Sequence, residues 1–469
     1  MAKKNQVTFL CSECGWSNPK WMGQCRECGQ WGTMSEFTVT STSPTIAPIA
    51  KAARSNAEPI SQVSAEVARA RPTGVSELDR VLGGGIVPGA VVLLAGEPGV
   101  GKSTLLLDVA AKAAADSRQR EDGPVLYISG EESTSQIKLR AERIGAIDEA
   151  LLLAAEPQWE IIANHIHTHQ PSLLIIDSIQ TIAASDVDGS AGGVTQVRAV
   201  AARLITLAKE MNLPVILVGH VTKDGNIAGP RVLEHLVDVV CQFEGERHAR
   251  LRLLRAVKNR YGATDEVGCF DLTDTGIVGL PDPSGLFLSA SSEPTPGTCV
   301  TVTLEGRRPM PTEIQALVAR TNAGSPRRTT SGVDHSRVSM MLAVMQARLG
   351  LDASSCDVYV STVGGARTGE PAADLALTLA LISAHANTPL RQGLIACGEV
   401  SLTGELRATT GVQRRLAEAA RLGFTDAIIP AAGSEQVRAV EGLRIYPVSN
   451  LASAVQIARM PQRQAGEES

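Results

Sequence analysis

The chain has 469 residues, 43% of them hydrophobic and 20% charged, with a formal net charge of −5. That length points to two or three domains, and an aromatic content of 3% leaves their cores to Ala, Val, Leu and Ile. The negative balance excludes a globally basic nucleic-acid binder, and the absence of any apolar run of about eighteen residues excludes a conventional membrane-spanning helix.

The amino terminus, MAKKNQ, leads into a cysteine cluster rather than an apolar signal segment, so a cytoplasmic protein with no membrane partner is expected. Within residues 1–35, Cys11-x2-Cys14 and Cys25-x2-Cys28 form two knuckles, each followed by a glycine, Gly15 and Gly29. A tight turn lets both thiolates of a knuckle face one ion, and four thiolates close a tetrahedron. The module is therefore expected to hold a structural Zn2+ with no position open to water. A redox site would need one such pair in a thioredoxin-like setting. Trp16, Trp21 and Trp31 either pack around this small metal core or stack on bases of single-stranded DNA. The five remaining cysteines, Cys241, Cys269, Cys299, Cys356 and Cys397, are scattered singly and read as small core residues.

Residues 36–71 are rich in Ser, Thr, Ala and Pro and read as a flexible linker. From 72 to 285, short Val/Leu/Ile runs alternate with helical stretches, the pattern of an α/β domain with a mostly parallel sheet covered by helices. The clearest strands are Val91–Ala95, Val125–Ser129, Leu173–Asp177 and Val215–Gly219.

The segment Gly96-Glu97-Pro98-Gly99-Val100-Gly101-Lys102-Ser103 matches G-x-x-x-x-G-K-[ST] between a strand and a helix that Thr104 opens. Its glycines let backbone N–H groups wrap phosphates. Lys102 is placed to reach the β- and γ-phosphates of ATP and Ser103 to hold Mg2+, with the positive end of the helix facing the anion. Asp177 ends a strand at the carboxyl edge of the sheet and is the natural further partner of Mg2+. Glu131 and Glu132 follow another strand, where one of them serves as general base or both are solvated loop carboxylates. HIHTH at 165–169 would place three histidines on one side of a strand, but no cysteine or carboxylate supports a metal there.

The order GEPGVGKST, YISGEES, LLIIDSIQT and VILVGHVTKDG resembles the core of the RecA family. The resemblance implies that Glu131 is the catalytic glutamate and that His220 senses the γ-phosphate. It also implies that DNA is carried by loops 183–196 and 221–231, the second bearing Lys223 and Arg231. Lys258-Asn259-Arg260-Tyr261-Gly262 follows a strand holding Arg250, Arg252 and Arg255, which in isolation reads as a solvated charged face. Together with the cysteine module and the core motifs, it resembles the signature of the RadA/Sms family of bacterial recombination and repair ATPases, where the aromatic is commonly Phe. By that resemblance Lys258 and Arg260 act near a subunit interface and reach a neighbour's ATP.

A Ser/Pro/Asp-rich stretch near 280–297 precedes a second α/β domain, residues 290–460, with helices around 334–350, 371–386 and 409–421, and a tail at 461–469. This domain is similar to the proteolytic domain of Lon, but Ala372 stands at the nucleophile position and Gln413 at the lysine position. Neither replacement can activate a hydroxyl. Arg327, Arg328, Arg414 and Arg415 form either a basic surface or ordinary solvated faces.

The resemblance implies a homohexameric, DNA-dependent ATPase of homologous recombination and repair. It would use ATP, Mg2+ and Zn2+, and would translocate on single-stranded DNA and migrate branches in recombination intermediates alongside a recombinase (RecA) filament. A Lon-type ATP-dependent protease and a nucleotide-switched adaptor are the alternatives.

Overall fold

The computed structural model of the chain describes residues 7–11, 17–27, 29–38, 59–62, 69–220, 230–245, 250–289, 293–321 and 325–459. Cys14, Trp16, Cys28, Lys223 and the tail lie outside these residues, as does the side chain of Arg231. The chain folds as two compact units, Met1–Thr264 with Gly268–Gly279, and Asp265–Val267 with Leu280–Ser469.

The first unit begins with a small antiparallel sheet in the order β2-β1-β3, formed by β1 (Val7–Cys11), β2 (Ser17–Asn18) and β3 (Met34–Thr38). Cys11, Cys25 and Met34 are buried together, while Trp21 and Trp31 are exposed at 62% and 74%. These two indoles therefore do not form the module's core. Gly29, at φ 71°, donates its N–H to the Cys25 carbonyl, the tight turn a knuckle requires.

The rest of this unit runs α1 (Ser76–Leu82), β4 (Val91–Gly96), α2 (Lys102–Arg120), β5 (Val125–Ser129), α3 (Thr134–Ile144), β6 (Leu151–Ala155), α4 (Trp159–His169) and β7 (Leu173–Asp177). It continues with α5 (Val194–Met211), β8 (Val215–His220), α6 (Pro230–Glu234), β9 (Val239–Glu244), β10 (Leu251–Asn259), β11 (Val267–Thr273) and β12 (Gly276–Gly279). Nine strands form one sheet in the order β12-β11-β10-β9-β4-β8-β7-β5-β6. Those from β9 to β6 are parallel, and β10 and β12 pair antiparallel with their predecessors.

Strand β4 shows why its apolar run has no polar face. Val92 and Leu94 enter one core with α1 and α2, and Val91 and Leu93 enter the other with α4 and α5. A strand buried on both faces cannot alternate. Residue Arg71 pairs with Ile86, and β3 reaches Thr38, so both ends of the stretch read as linker carry regular structure.

One sequence expectation fails here. His165, His167 and His169 lie on α4, where Ile162 and Ile166, one turn apart, form the buried stripe. Period 3.6 overrides the alternation that suggested a strand. His165 and His169 stack at 5.9 Å between ring centroids, and among the described residues no cluster of metal-ligating groups forms.

The second unit contains α7 (Ser284–Phe287), β13 (Thr298–Glu305), β14 (Arg308–Arg320), β15 (Arg328–Ser331), α8 (His335–Leu349), β16 (Cys356–Thr362) and α9 (Asp374–Ala386). It ends with β17 (Leu394–Ala396), β18 (Glu399–Val400), β19 (Leu406–Arg407), α10 (Val412–Arg421), β20 (Asp426–Pro430), β21 (Arg444–Val448) and α11 (Leu451–Arg459). Seven strands pair in the order β15-β16-β14-β13-β17-β20-β21. Helices α8, α9 and α11 cover one face and α10 the other.

Arg415 is not surface. It is 0% exposed, donates to the Val302 carbonyl at 2.6 Å and grips Glu370 at 2.6 and 2.7 Å. Arg328 is spent on the carbonyls of Cys356 and Ala353, so of the four basic residues only Arg327 and Arg414 are exposed. The five scattered cysteines are all buried, and burial pushes the thiols of Cys241 and Cys299 up to about 12 and that of Cys397 up to about 11. Such thiols stay protonated and inert. No described helix is long and apolar enough to cross a membrane.

Candidate active site

The phosphate loop joins β4 to α2 at the carboxyl edge of the parallel strands. Gly99 and Gly101 take φ of 80° and 108°, and a Cβ on Gly101 would lie 2.2 Å from Ile277 Cδ1. Both positions therefore demand glycine. Lys102 is 4% exposed, and its ammonium donates to the carbonyls of Gly96 at 2.8 Å and Glu97 at 2.9 Å. Burial lowers its pKa to about 8, against the opposing pull of Asp177 and Glu131.

Three strand ends converge on this loop. His220, the last residue of β8, pairs in register with Gly96, and its Nε2 lies 3.3 Å from Glu131 Oε1. Its Nδ1 is buried with no partner among the described residues. Glu131 also accepts the Ser178 hydroxyl at 2.7 Å. Asp177 accepts from Tyr127 Oη at 2.6 Å, and burial, reinforced by Asp177, holds that phenol protonated well above its ordinary value. Glu132 turns away to an ion pair with Arg140, and Ser129 Oγ accepts from the Glu132 N–H at 2.9 Å. Of the two glutamates, Glu131 faces the site and Glu132 does not.

An ammonium, the Ser103 hydroxyl, the loop's N–H groups and two carboxylates thus share one edge of the sheet. That donor set fits a nucleotide triphosphate with Mg2+: cationic and N–H donors for phosphate oxygens, hard oxygen ligands for the cation, and Glu131 left for water. For zinc, Cys11 and Cys25 are buried at 3% and 1% in a module otherwise poor in core, which fits a thiolate site.

Lys258 and Arg260 are not brought to this edge. Strand β10 runs antiparallel to β9, so Asn259 is level with Val239 and hence with Val92 near the start of β4, roughly 13 Å of strand from Gly96. Lys258 Nζ donates to the carbonyls of Glu234 and Val237 at 2.7 and 2.8 Å. Arg260 pairs at 3.0 Å with Asp238, whose carboxylate also holds Lys209 at 2.7 Å and the Val91 N–H at 3.1 Å. Asn259 reaches the carbonyls of Val81 and Leu82, and Tyr261 Oη lies 3.4 Å from Lys209. The whole motif is anchored at the amino edge of the sheet.

Sequence reasoning missed Tyr127, Ser178 and Arg140, which orient the carboxylates. Tyr127 stood inside YISGEES, where an aromatic in an otherwise aliphatic strand was the available signal. In the second unit, Ala372 is buried at 2% and Gln413 exchanges bonds with the backbone of Arg438. No hydroxyl–amine pair exists at those positions.

Comparison with known proteins finds three family matches along the chain. Residues 9–36 match a rubredoxin metal binding domain, 57–226 an AAA domain and 339–459 the Lon protease (S16) C-terminal proteolytic domain. The chain is 52% identical over 450 residues to the DNA repair protein RadA of Mycobacterium tuberculosis, covering 96% of this chain and 92% of that one. It is 51% identical over 463 residues to RadA of Mycolicibacterium smegmatis (97% of each chain) and 42% over 460 residues to RadA of Bacillus subtilis (96% and 98%). A solved KaiC-like protein from Pyrococcus horikoshii is 21% identical, with a TM-score of 0.38 over 46% of this chain and 100% of that one.

Proposed function

Because this chain belongs to the RadA family of DNA repair proteins, with a RecA-like ATPase domain between a zinc ribbon and a Lon-like domain, we propose that it is a DNA-stimulated motor. In this reading it moves on single-stranded DNA and migrates branches in recombination intermediates. The observation that carries it is the split of the charged residues between two edges of one sheet. Lys102, Glu131, Asp177 and His220 share the carboxyl edge, while Lys258 and Arg260 are fixed at the amino edge. A site that needs both sets is complete only when a second copy lends its amino edge, as in a ring built by head-to-tail contacts.

Within such a site Lys102 and the loop N–H groups hold the β- and γ-phosphates. Ser103 and Asp177 are the residues that would hold Mg2+, which supplies charge neutralisation at the transferring phosphoryl group. Glu131 aligns and deprotonates the attacking water, and its position is fixed by Ser178 and His220. His220 immediately precedes loop 221–231, so a change at Glu131 as the γ-phosphate leaves can pass through its contact with His220 into the backbone of a segment proposed to touch DNA. A closed ring also reconciles a net charge of −5 with DNA binding, since only the channel need be basic. The proposed assembly is a homohexamer, the proposed partners are single-stranded DNA and a recombinase filament, and the Lon-like domain serves assembly rather than proteolysis.

The test is a three-strand exchange assay with hydrolysis measured in parallel. Wild type is expected to extend joint molecules and to hydrolyse ATP several-fold faster with single-stranded DNA. Lys102→Ala and Lys258→Ala should each lose both, by about a hundredfold in hydrolysis. Hydrolysis indifferent to DNA, with Lys258→Ala equal to wild type, would favour the adaptor instead.

A further inference from the structure

Strand β10 carries Arg252 and Arg255 and is preceded by Arg250, and the three side chains have different fates. Arg250 reaches Asp271 at 3.0 Å, and Arg255 reaches Glu244 at 3.3 Å. Arg252 is 3% exposed and turns to the phosphate loop: its Nε donates to the Val100 carbonyl at 3.3 Å, and its Nη1 donates to the Leu251 carbonyl at 2.9 Å.

Val100 stands two residues before Lys102 and is itself buried, at 5% exposure. A loop that turns its N–H groups onto phosphate must turn carbonyls elsewhere, and a buried carbonyl needs a protein donor there. Arg252 supplies one from β10, which β9 separates from β4 in the sheet. The surroundings are shaped for it. A Cβ on Gly245 would stand 2.3 Å from Arg252 Cδ and 2.9 Å from Nε, so glycine leaves the channel through which the side chain passes. The loop's other walls are equally close, since a Cβ on Gly96 would meet the Phe243 carbonyl at 2.6 Å. Burying a guanidinium here costs free energy, visible as the lowering of its pKa by burial, a cost that a neutral donor would not incur.

We propose that Arg252 is a positioning residue of the nucleotide site: by holding the Val100 carbonyl away from the phosphates, it presets the N–H groups of Gly101 and Lys102 toward them. The proposal rests on the reading of this loop as the ATP site. Arg252 touches no substrate atom, so its contribution is to the ordering that binding would otherwise require. Its loss belongs in nucleotide affinity and KM, with kcat at saturation largely kept.

The experiment uses the full chain as wild type, Arg252→Lys and Gly245→Ala, titrated with N-methylanthraniloyl-ADP in Mg2+, with KM for ATP and thermal unfolding of the nucleotide-free protein alongside. Gly245→Ala keeps the arginine but displaces it, and it decides the matter alone if Arg252→Lys fails to fold. Both variants are expected to bind about tenfold more weakly and to raise KM similarly, with kcat within about threefold and Tm within about 2 °C of wild type. Unchanged affinity in Gly245→Ala and in folded Arg252→Lys, whether or not Tm falls, would make the arginine a structural filler and overturn the proposal. Wild type failing to bind nucleotide would instead overturn the ATP reading, a result its own titration reports without either variant.

Discussion

At the scale of single residues, Lys102 carries a measurable electrostatic signature. Its pKa in the nucleotide-free protein is about 8, lowered by burial from 10.5, so it is cationic below that pH and increasingly neutral above. Phosphate favours the cation. Affinity for ATP is therefore expected to be flat from about pH 6.5 to 7.5 and to fall above pH 8 by up to about tenfold per unit, as read by titration calorimetry. Lys102→Ala should bind weakly without this slope, and a wild-type profile flat through pH 9.5 would contradict the assignment. The linkage sign for folding is the reverse: between pH 8 and 10.5 the unfolded chain holds more protons at this residue, so this group alone makes stability rise with pH there.

Residue identity was legible wherever chemistry fixes spacing. The phosphate loop, Asp177 and Glu131 followed from pattern or resemblance, and the structure brings them together. What the sequence concealed was burial of charge: nothing in its local context separates Arg415, fully buried on Glu370, from the exposed Arg414 beside it. Arg252 was hidden in the same way, inside a run that reads as a solvated face.

At the scale of elements, the strands of the parallel sheet were the most legible feature, because strands buried on both faces are continuous apolar runs. Helix α4 was misread because five residues are too few to separate a period of 2 from one of 3.6 when three of them are histidine. The loop between β7 and α5 shows what composition cannot reveal. Loop 183–196 looks featureless, yet Gln196, 2% exposed, organises it: its amide nitrogen donates to the carbonyls of Ala184, Val187 and Gly189, and its oxygen accepts the Ala184 N–H. The loop carries Asp186 and Asp188 and no lysine or arginine, so any DNA phosphate contact it makes must come from backbone amides and hydroxyl groups rather than from cations. Gln196→Ala strands buried carbonyls and is expected to cost about 2–3 kcal/mol in urea unfolding and to weaken single-stranded DNA binding. A loss below about 0.5 kcal/mol would show that the loop orders itself by other means.

At the scale of the whole molecule, the second unit matches the proteolytic domain of Lon, with Ala372 and Gln413 at the positions read as its nucleophile and lysine. Buried Ala372 has no hydroxyl, and Gln413 is tied to Arg438. The account of the motor rests on a different feature, the placement of Lys258 and Arg260 on the edge opposite the phosphate loop. The sequence could supply the motif and, by resemblance, its action on a neighbour, but not the antiparallel turn of β10 that carries it away from its own ATP site. Every active site in the proposed ring then takes one half from each of two chains.

Mixing two inactive variants tests this most directly. Lys102→Ala has a dead phosphate loop and an intact amino edge, and Lys258→Ala has the reverse. In rings assembled from equal amounts, roughly one interface in four pairs an intact loop with an intact Lys258. Hydrolysis in the presence of single-stranded DNA should recover from near zero in either variant alone toward that fraction of wild type in the mixture. A mixture as inactive as its components, although shown to co-assemble, would contradict a shared site.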